Sequence, residues 1–159
     1  MKDKLFRFAL RLLQDVQEAE DAVQDVMVKI WSRQGEWGKW QSLEAYCMTA
    51  TRNDCLDRLR RKKAVFVEAD KVHDVGSSER DPYEKMTGKE TYERIRRCMD
   101  NLPENQQLVV QLREIEGFSY LEISEVLQMS IDQVKVNLFR ARNAIKKTIL
   151  KEEGLCNNQ

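Results

Sequence analysis

Apolar residues recur at steps of three and four along most of this chain, the repeat of helices that bury one face. In EAEDAVQDVMVKIW, the residues Ala19, Ala22, Val23, Val26, Met27 and Ile30 make one stripe with acids set between them. The stretch before it keeps the helical pattern, so the opening segment is expected to be helical throughout. SRQGEWGKWQ then breaks the period with Gly35 and Gly38 and carries Trp37 and Trp40. Trp31 closes the apolar stripe and is expected in the core. Ser42 is placed to cap the next helix, SLEAYCMTATRNDCLDRLRRKK. Its seam is Met48, Thr51, Cys55 and Leu59, with Tyr46, Asn53, Asp57 and Arg60 on the opposite face.

From Ala64 to about Lys89 the apolar period is lost among Gly76, Ser77, Ser78, Pro82 and Gly88. The pattern then resumes with a helix near 90–101. Pro103 suits a first helical position, and Leu108, Val109, Leu112 and Ile115 follow until Gly117 ends that helix. Ser119 with Glu122 reads as a capping box, followed by Ile123, Val126 and Leu127. Ser130 with Gln133 reads as a second box. It opens SIDQVKVNLFRARNAIKK, whose stripe is Ile131, Val134, Leu138, Ala141 and Ile145. Two capped helices joined by so short a turn describe a helix-turn-helix. There is no strand pattern and no long repeat. The expected fold class is all-α, with two small helical domains joined by a flexible linker and the helix-turn-helix in the C-terminal one. The expected layout is a domain over 1–63, an acidic linker over 64–89, a second domain over 90–152 and a polar tail over 153–159.

Charge sharpens this picture. The 159 residues hold 27 basic and 27 acidic side chains, a net charge of zero that argues poorly for nucleic acid. The average hides a basic first domain at +3, a middle stretch 64–93 at −4, and a helix 131–147 at +4. No apolar run reaches the ~18 residues of a membrane span. The opening segment lacks a signal-peptide pattern. The expected location is therefore the cytoplasm, with no direct membrane insertion. Cys47, Cys55, Cys98 and Cys156 make no CxxC pair and the only histidine, His73, stands apart, so reduced thiols are expected, with no metal and no cofactor.

The second helix of a helix-turn-helix enters the major groove. On its outward face Gln133, Val136 and Asn137 are placed to reach base edges, the amides toward adenine and the valine toward a thymine methyl. Lys135, Arg140, Lys146 and Lys147 suit phosphates, which position without reading sequence. A solvated charged face is the plainer reading, and the capped helix and tight turn before it favour DNA. RLRRKK, Arg58 to Lys63, holds five cations within six residues, more than a helix C-terminus calls for. Just upstream, Trp37, Trp40 and Tyr46 interleave with Lys39, the equipment for gripping unstacked bases, although core packing accounts for such rings equally well. Glu18, Asp21 and Asp25 suit docking onto a basic partner or simple solvation. No nucleophile–base pair or phosphate loop occurs, so no enzyme and no catalytic residue is expected.

Taken in order, these segments resemble the extracytoplasmic-function sigma factors, a two-domain group of bacterial RNA polymerase sigma factors. EAEDAVQDVMVKIW resembles their polymerase-binding helix, and LEAYCMTATRNDCLDRLRRKK the helix and loop that take up the −10 element. LPENQQLVVQLREIEGFSYLEISEVLQMSIDQVKVNLFRARNAIKK resembles their −35-reading domain. The resemblance implies that Asp21, Gln24 and Asp25 face core RNA polymerase. It implies that Trp37, Lys39, Trp40, Tyr46, Arg52 and Asn53 surround the flipped base and melted strand of the −10 element. Arg58, Arg60, Arg61, Lys62 and Lys63 would hold nearby backbone. Gln133, Lys135, Val136, Asn137, Arg140 and Lys147 would meet the −35 duplex. The implied partners are core polymerase, promoter DNA and an anti-sigma protein, in many relatives membrane-anchored. Where the family commonly reads T-V-K-S-R-L, this chain reads QVKVNL, so the usual −35 sequence is not implied. The rival expectation is a stand-alone helix-turn-helix regulator, which would need no polymerase-docking helix.

Overall fold

A computed structural model describes residues 1–68, 89–152 and 154, and every described element is helical. Two compact units are present. In the first, α1 (Lys2–Leu13), α2 (Val16–Ser32) and α3 (Leu43–Glu68) pack pairwise around Leu5, Phe8, Ala19, Val23, Val26, Met48 and Cys55. The expected stripe of α2 is the buried one, with Met27 half-buried.

The opening segment is helical as expected except for a break at Gln14 and Asp15, which divides it into α1 and α2. Gln14 takes the left-handed conformation (φ 54°), and its N–H closes α1 by donating to the carbonyl of Leu10 at 2.8 Å. Asp15 then caps α2, its Oδ1 accepting from the Glu18 N–H at 2.9 Å. The acid pair three apart was a legible start signal, masked by the unbroken polar and apolar rhythm on either side. Between α2 and α3, Gln34–Lys39 forms a 3₁₀ segment, and the Ser42 Oγ caps α3 by accepting from the Ala45 N–H at 3.2 Å. The third helix does not stop at Lys63 but runs on to Glu68, so residues 64–68 of the expected linker are helix. Residues 69–88 of that linker, with His73, lie outside the described residues, and Lys89 already belongs to the next helix. The expected tail, with Cys156, also lies outside the described residues, apart from Gly154.

The second unit contains α4 (Lys89–Asp100), α5 (Glu104–Val110) and α7 (Ile131–Glu152), with α6 (Tyr120–Leu127) joined to α7 by a tight turn. Pro103 sits at the cap of α5, one position ahead of the one expected. A π-helical turn, Gln111–Ile115, extends α5. It ends where Gly117 adopts φ 79° and the buried Phe118 donates its N–H back to the Leu112 carbonyl at 2.9 Å. That bond, reaching back six positions across a left-handed residue, is what glycine permits without a Cβ penalty.

Both capping boxes form. Ser119 N–H donates to Glu122 Oε2 at 2.9 Å and Glu122 N–H to Ser119 Oγ at 3.2 Å. Ser130 N–H donates to Gln133 Oε1 at 2.8 Å and Gln133 N–H to Ser130 Oγ at 3.1 Å. Between them the turn has no glycine, and Gln128 carries the left-handed φ of 53°. Ser124 holds the turn closed: its carbonyl accepts from the Met129 N–H at 3.1 Å and its hydroxyl donates to the Met129 carbonyl at 2.7 Å.

Candidate nucleic-acid and polymerase interface

The α7 surface is built by its own register. Val134, Leu138 and Ala141 are buried, which turns Val136, Arg140, Asn143, Lys146 and Lys147 to solvent, with Lys135 at the edge. Ile131 and Ile145 lie at the margins of the stripe and are only partly covered. The two amides expected to read bases are engaged within their own helix. Gln133 Oε1 holds the cap, and Asn137, half-buried, donates its side-chain N–H to the Gln133 carbonyl at 2.8 Å. Bidentate pairing with adenine needs both atoms of an amide, so this conformation offers neither residue for it. Sequence reasoning missed Phe139, which is 68% exposed in the middle of the cationic face. Helical counting places it between Val136 and Lys146, a signal that was available. Arg142 is no part of this surface, since its Nε donates to Glu114 Oε1 at 3.0 Å and ties α7 to the π turn.

In the first unit the aromatic residues divide. Trp37 donates its indole N–H to the Ile30 carbonyl at 3.1 Å and meets Trp31 edge-on, with ring centroids 5.9 Å apart. It braces the loop against the end of α2. Trp31, expected in the core, is 64% exposed. The apolar stripe has rotated past it at the end of α2, and the glycine-broken loop does not cover it. Trp40 instead stacks on Tyr46, centroids 3.9 Å apart and planes 12° from parallel. Arg33, which sequence reasoning passed over, binds this pair: its Nη1 donates to the Tyr46 hydroxyl at 2.6 Å and its guanidinium carbon lies 5.9 Å from both ring centroids. Glu36 holds the other side of that guanidinium at 2.7 Å. Lys39 and Asn53 are exposed nearby in sequence, and Arg52 is half-buried.

The basic run of α3 is not uniform. Arg60, Arg61 and Lys63 are exposed, Arg60 pairing loosely with Asp57 at 3.3 Å. Arg58, expected to hold DNA backbone, is engaged within the protein in this structure. Its side chain is only 15% exposed and turned toward α2, where it meets Asp25 at 2.5 Å and Glu18 at 3.3 Å, and it also bonds Asp54 of its own helix at 2.7 Å. Position decides this: Asp54, Arg58 and Lys62 are spaced by four on the edge of α3 facing α2. Lys29 reaches Asp54 at 3.0 Å, and Lys62 reaches Glu18 at 3.3 Å. Burial by itself raises the Asp54 carboxyl. The hydrogen bonds and charges of Arg58 and Lys29 outweigh it and leave the group below the ordinary carboxylate range. On α2, Asp21 and Gln24 are exposed, and Asp25 remains 60% exposed despite its bond to Arg58.

No described helix is long and apolar enough to cross a membrane, and among the described residues no group of three or more acidic, histidine or cysteine side chains could hold a metal ion. Burial pushes the Cys47 thiol up to about 11 and the Cys55 thiol up to about 12.

One unit is a helix-turn-helix with a cationic second helix and the other is a three-helix unit bearing partly exposed aromatics and cations, features that suit a DNA-binding protein. The family description for sigma-70 region 2 matches residues 1–65, and that for sigma-70 region 4 matches residues 92–145. The chain is 29% identical over 159 residues to the RNA polymerase sigma-H factor of Pseudomonas aeruginosa, covering 92% of this chain and 80% of that protein. It is 24% identical over 157 residues to the ECF RNA polymerase sigma factor SigW of Bacillus subtilis, covering 93% and 84%. In fold it is similar to the sigma factor RpoE solved in complex with the anti-sigma factor NepR from Bartonella quintana, at a TM-score of 0.73, 24% identity and coverage of 91% and 89%. CnrH, solved with the cytosolic domain of CnrY, superposes at a TM-score of 0.60 with 20% identity, covering 92% of this chain and 80% of that one. The chain belongs to the sigma-70 family, in its extracytoplasmic-function group of RNA polymerase sigma factors. Such factors are not enzymes. A stand-alone regulator is not favoured, because a sigma-70 region 2 match over residues 1–65 accompanies the helix-turn-helix match.

Proposed function

We propose that this chain directs core RNA polymerase to particular promoters in the cytoplasm by docking through α2 and holding DNA at two places. The exposed cationic face of α7 carries this reading, presented by a capped helix-turn-helix. Lys135, Arg140 and Lys147 hold phosphates of the −35 duplex, and Val136 with Phe139 meets base edges through apolar contact. Gln133 and Asn137 serve chiefly to build the helix start. Asp21, Gln24 and Asp25 meet basic surface on the polymerase.

The Trp40–Tyr46 stack, with Lys39, Arg52 and Asn53, receives a base of the −10 element once it leaves the duplex. Trp37 supports the loop from beneath, while Arg60, Arg61, Lys62 and Lys63 hold adjacent backbone. Trapping an unstacked base on aromatic rings supplies ~1–3 kcal/mol, enough to offset much of the cost of unstacking it. The chain itself supplies no fuel, and the polymerase carries out synthesis. The two domains, 1–63 and 90–152, are tethered by an acidic linker, so each contact raises the effective concentration of the other. An anti-sigma protein is the expected antagonist.

Run-off transcription of genomic fragments with this protein and core polymerase tests the reading, and specific 5′ ends absent with core alone are the expected result. In the same assay Trp40→Ala leaves polymerase binding intact and lowers permanganate reactivity at the start site. Parental reactivity in that variant would reject base trapping by the stack.

A further inference from the structure

In the basic run of α3, Arg58 is the cation most covered by α2, 15% exposed against 43% for Lys62, and the acids it meets include one proposed to face the polymerase. Asp25 and Glu18 stand seven residues apart on one edge of α2, two turns, and Asp54 stands one turn before Arg58 on α3. The guanidinium contacts each carboxylate with a different nitrogen: Nε with Asp54, Nη1 with Glu18 and Nη2 with Asp25. The Asp54 side chain is 9% exposed, and it anchors the fork from the protein side. The Nη2 contact then fixes where the Asp25 carboxylate points, while that carboxylate still reaches solvent. A flexible acid on an open helix face would lose rotamer freedom when a partner cation arrives, and one already held does not.

We infer that Arg58 is a positioning residue for polymerase docking, holding the Asp25 carboxylate in the orientation a basic polymerase surface meets. This rests on the proposal that Asp25 faces the polymerase. Arg58 then acts on polymerase affinity through Asp25 and makes no phosphate contact of its own. Lysine cannot replace it, because an ammonium is a single point of charge and cannot present separate, fixed donors to three carboxylates.

The test is a double-mutant cycle on the full chain, reading affinity for core polymerase by fluorescence anisotropy, with thermal melting run in parallel. The variants are Asp25→Asn, Arg58→Gln, Arg58→Lys and each Arg58 variant combined with Asp25→Asn. Each single change is expected to weaken binding. The doubles should bind no more weakly than Asp25→Asn alone, a non-additivity between about threefold and a hundredfold. Weaker binding by Asp25→Asn with fully additive doubles overturns the inference and leaves the docking reading standing. Parental affinity in Asp25→Asn overturns the docking reading itself. If Arg58→Gln melts too low to use, Arg58→Lys decides, since it keeps the charge beside Asp54. Parental affinity in Arg58→Lys would overturn the role of the fork. A flattened salt dependence of duplex binding in Arg58→Gln would show a phosphate contact and also overturn the inference.

Discussion

Arg140 and Lys147 lie two turns apart on the exposed face of α7, about 10 Å along its axis at 1.5 Å per residue. Arg142, between them in sequence, is committed to Glu114. That difference makes a quantitative prediction about salt. Each phosphate neutralised on duplex DNA contributes about −0.9 to the slope of log K against log salt concentration. Replacing both Arg140 and Lys147 by alanine should therefore flatten the slope of the full chain by about 1.8. Over a fourfold rise in salt, from ~50 to ~200 mM, the parent then loses about twelvefold more affinity than the double variant. Anisotropy titrations of a labelled duplex at several salt concentrations measure both slopes, and Arg142→Ala is the internal control with an expected slope equal to the parent's. An unchanged slope in the double variant, or equal flattening by Arg142→Ala, would show that the cations holding phosphate are not those the fold turns outward.

Three further outcomes follow from the same geometry. Asp54 has its carboxyl lowered on folding, so the stability it contributes is present above its unfolded value near ~4 and lost as pH falls through the lower folded value. Melting temperature should thus fall more steeply below pH ~4 in the parent than in Asp54→Asn, and parallel curves would refute the pairing. Gln128→Gly should raise stability in urea by up to about 1 kcal/mol, because only glycine takes the left-handed turn without a Cβ penalty; a loss would refute it. Cys47 and Cys55, with thiols raised by burial, should resist alkylation at pH 8 in native protein and label fully in guanidinium, as peptide mass mapping would register.

What was legible in the chain was local. Both capping boxes, the glycine stop at Gly117 and the stripes of α2 and α7 depend on residues a turn or two apart. Spacing alone dictates them. What escaped depends on neighbours far away in sequence. Arg58 belongs to a basic run by composition, yet its partners stand 33 and 40 positions earlier, and only the packing of α2 against α3 brings them together. Trp37 and Trp40 of the loop looked equivalent, and Trp31 at the end of α2 looked buried. One donates inward to Ile30, one stacks on Tyr46, and Trp31, the one expected inside, is left outside. Gln133 and Asn137 were legible as polar and outward, but the hydrogen bonds that occupy their amides were visible only for the cap.

The continuation of α3 to Glu68 alters what its middle can do. Lys63 stands five residues short of the helix end, outside the last turn where the negative dipole is felt, so the run is not a terminal charge cap. Tyr46 and Lys63 are instead marks on one stiff rod, 17 positions and therefore about 26 Å apart. A hinge between them would let the interval drift with temperature or partner. A continuous helix makes it a yardstick, and anything that lies along α3 from ring to cation is measured against a length the backbone hydrogen bonds have already set.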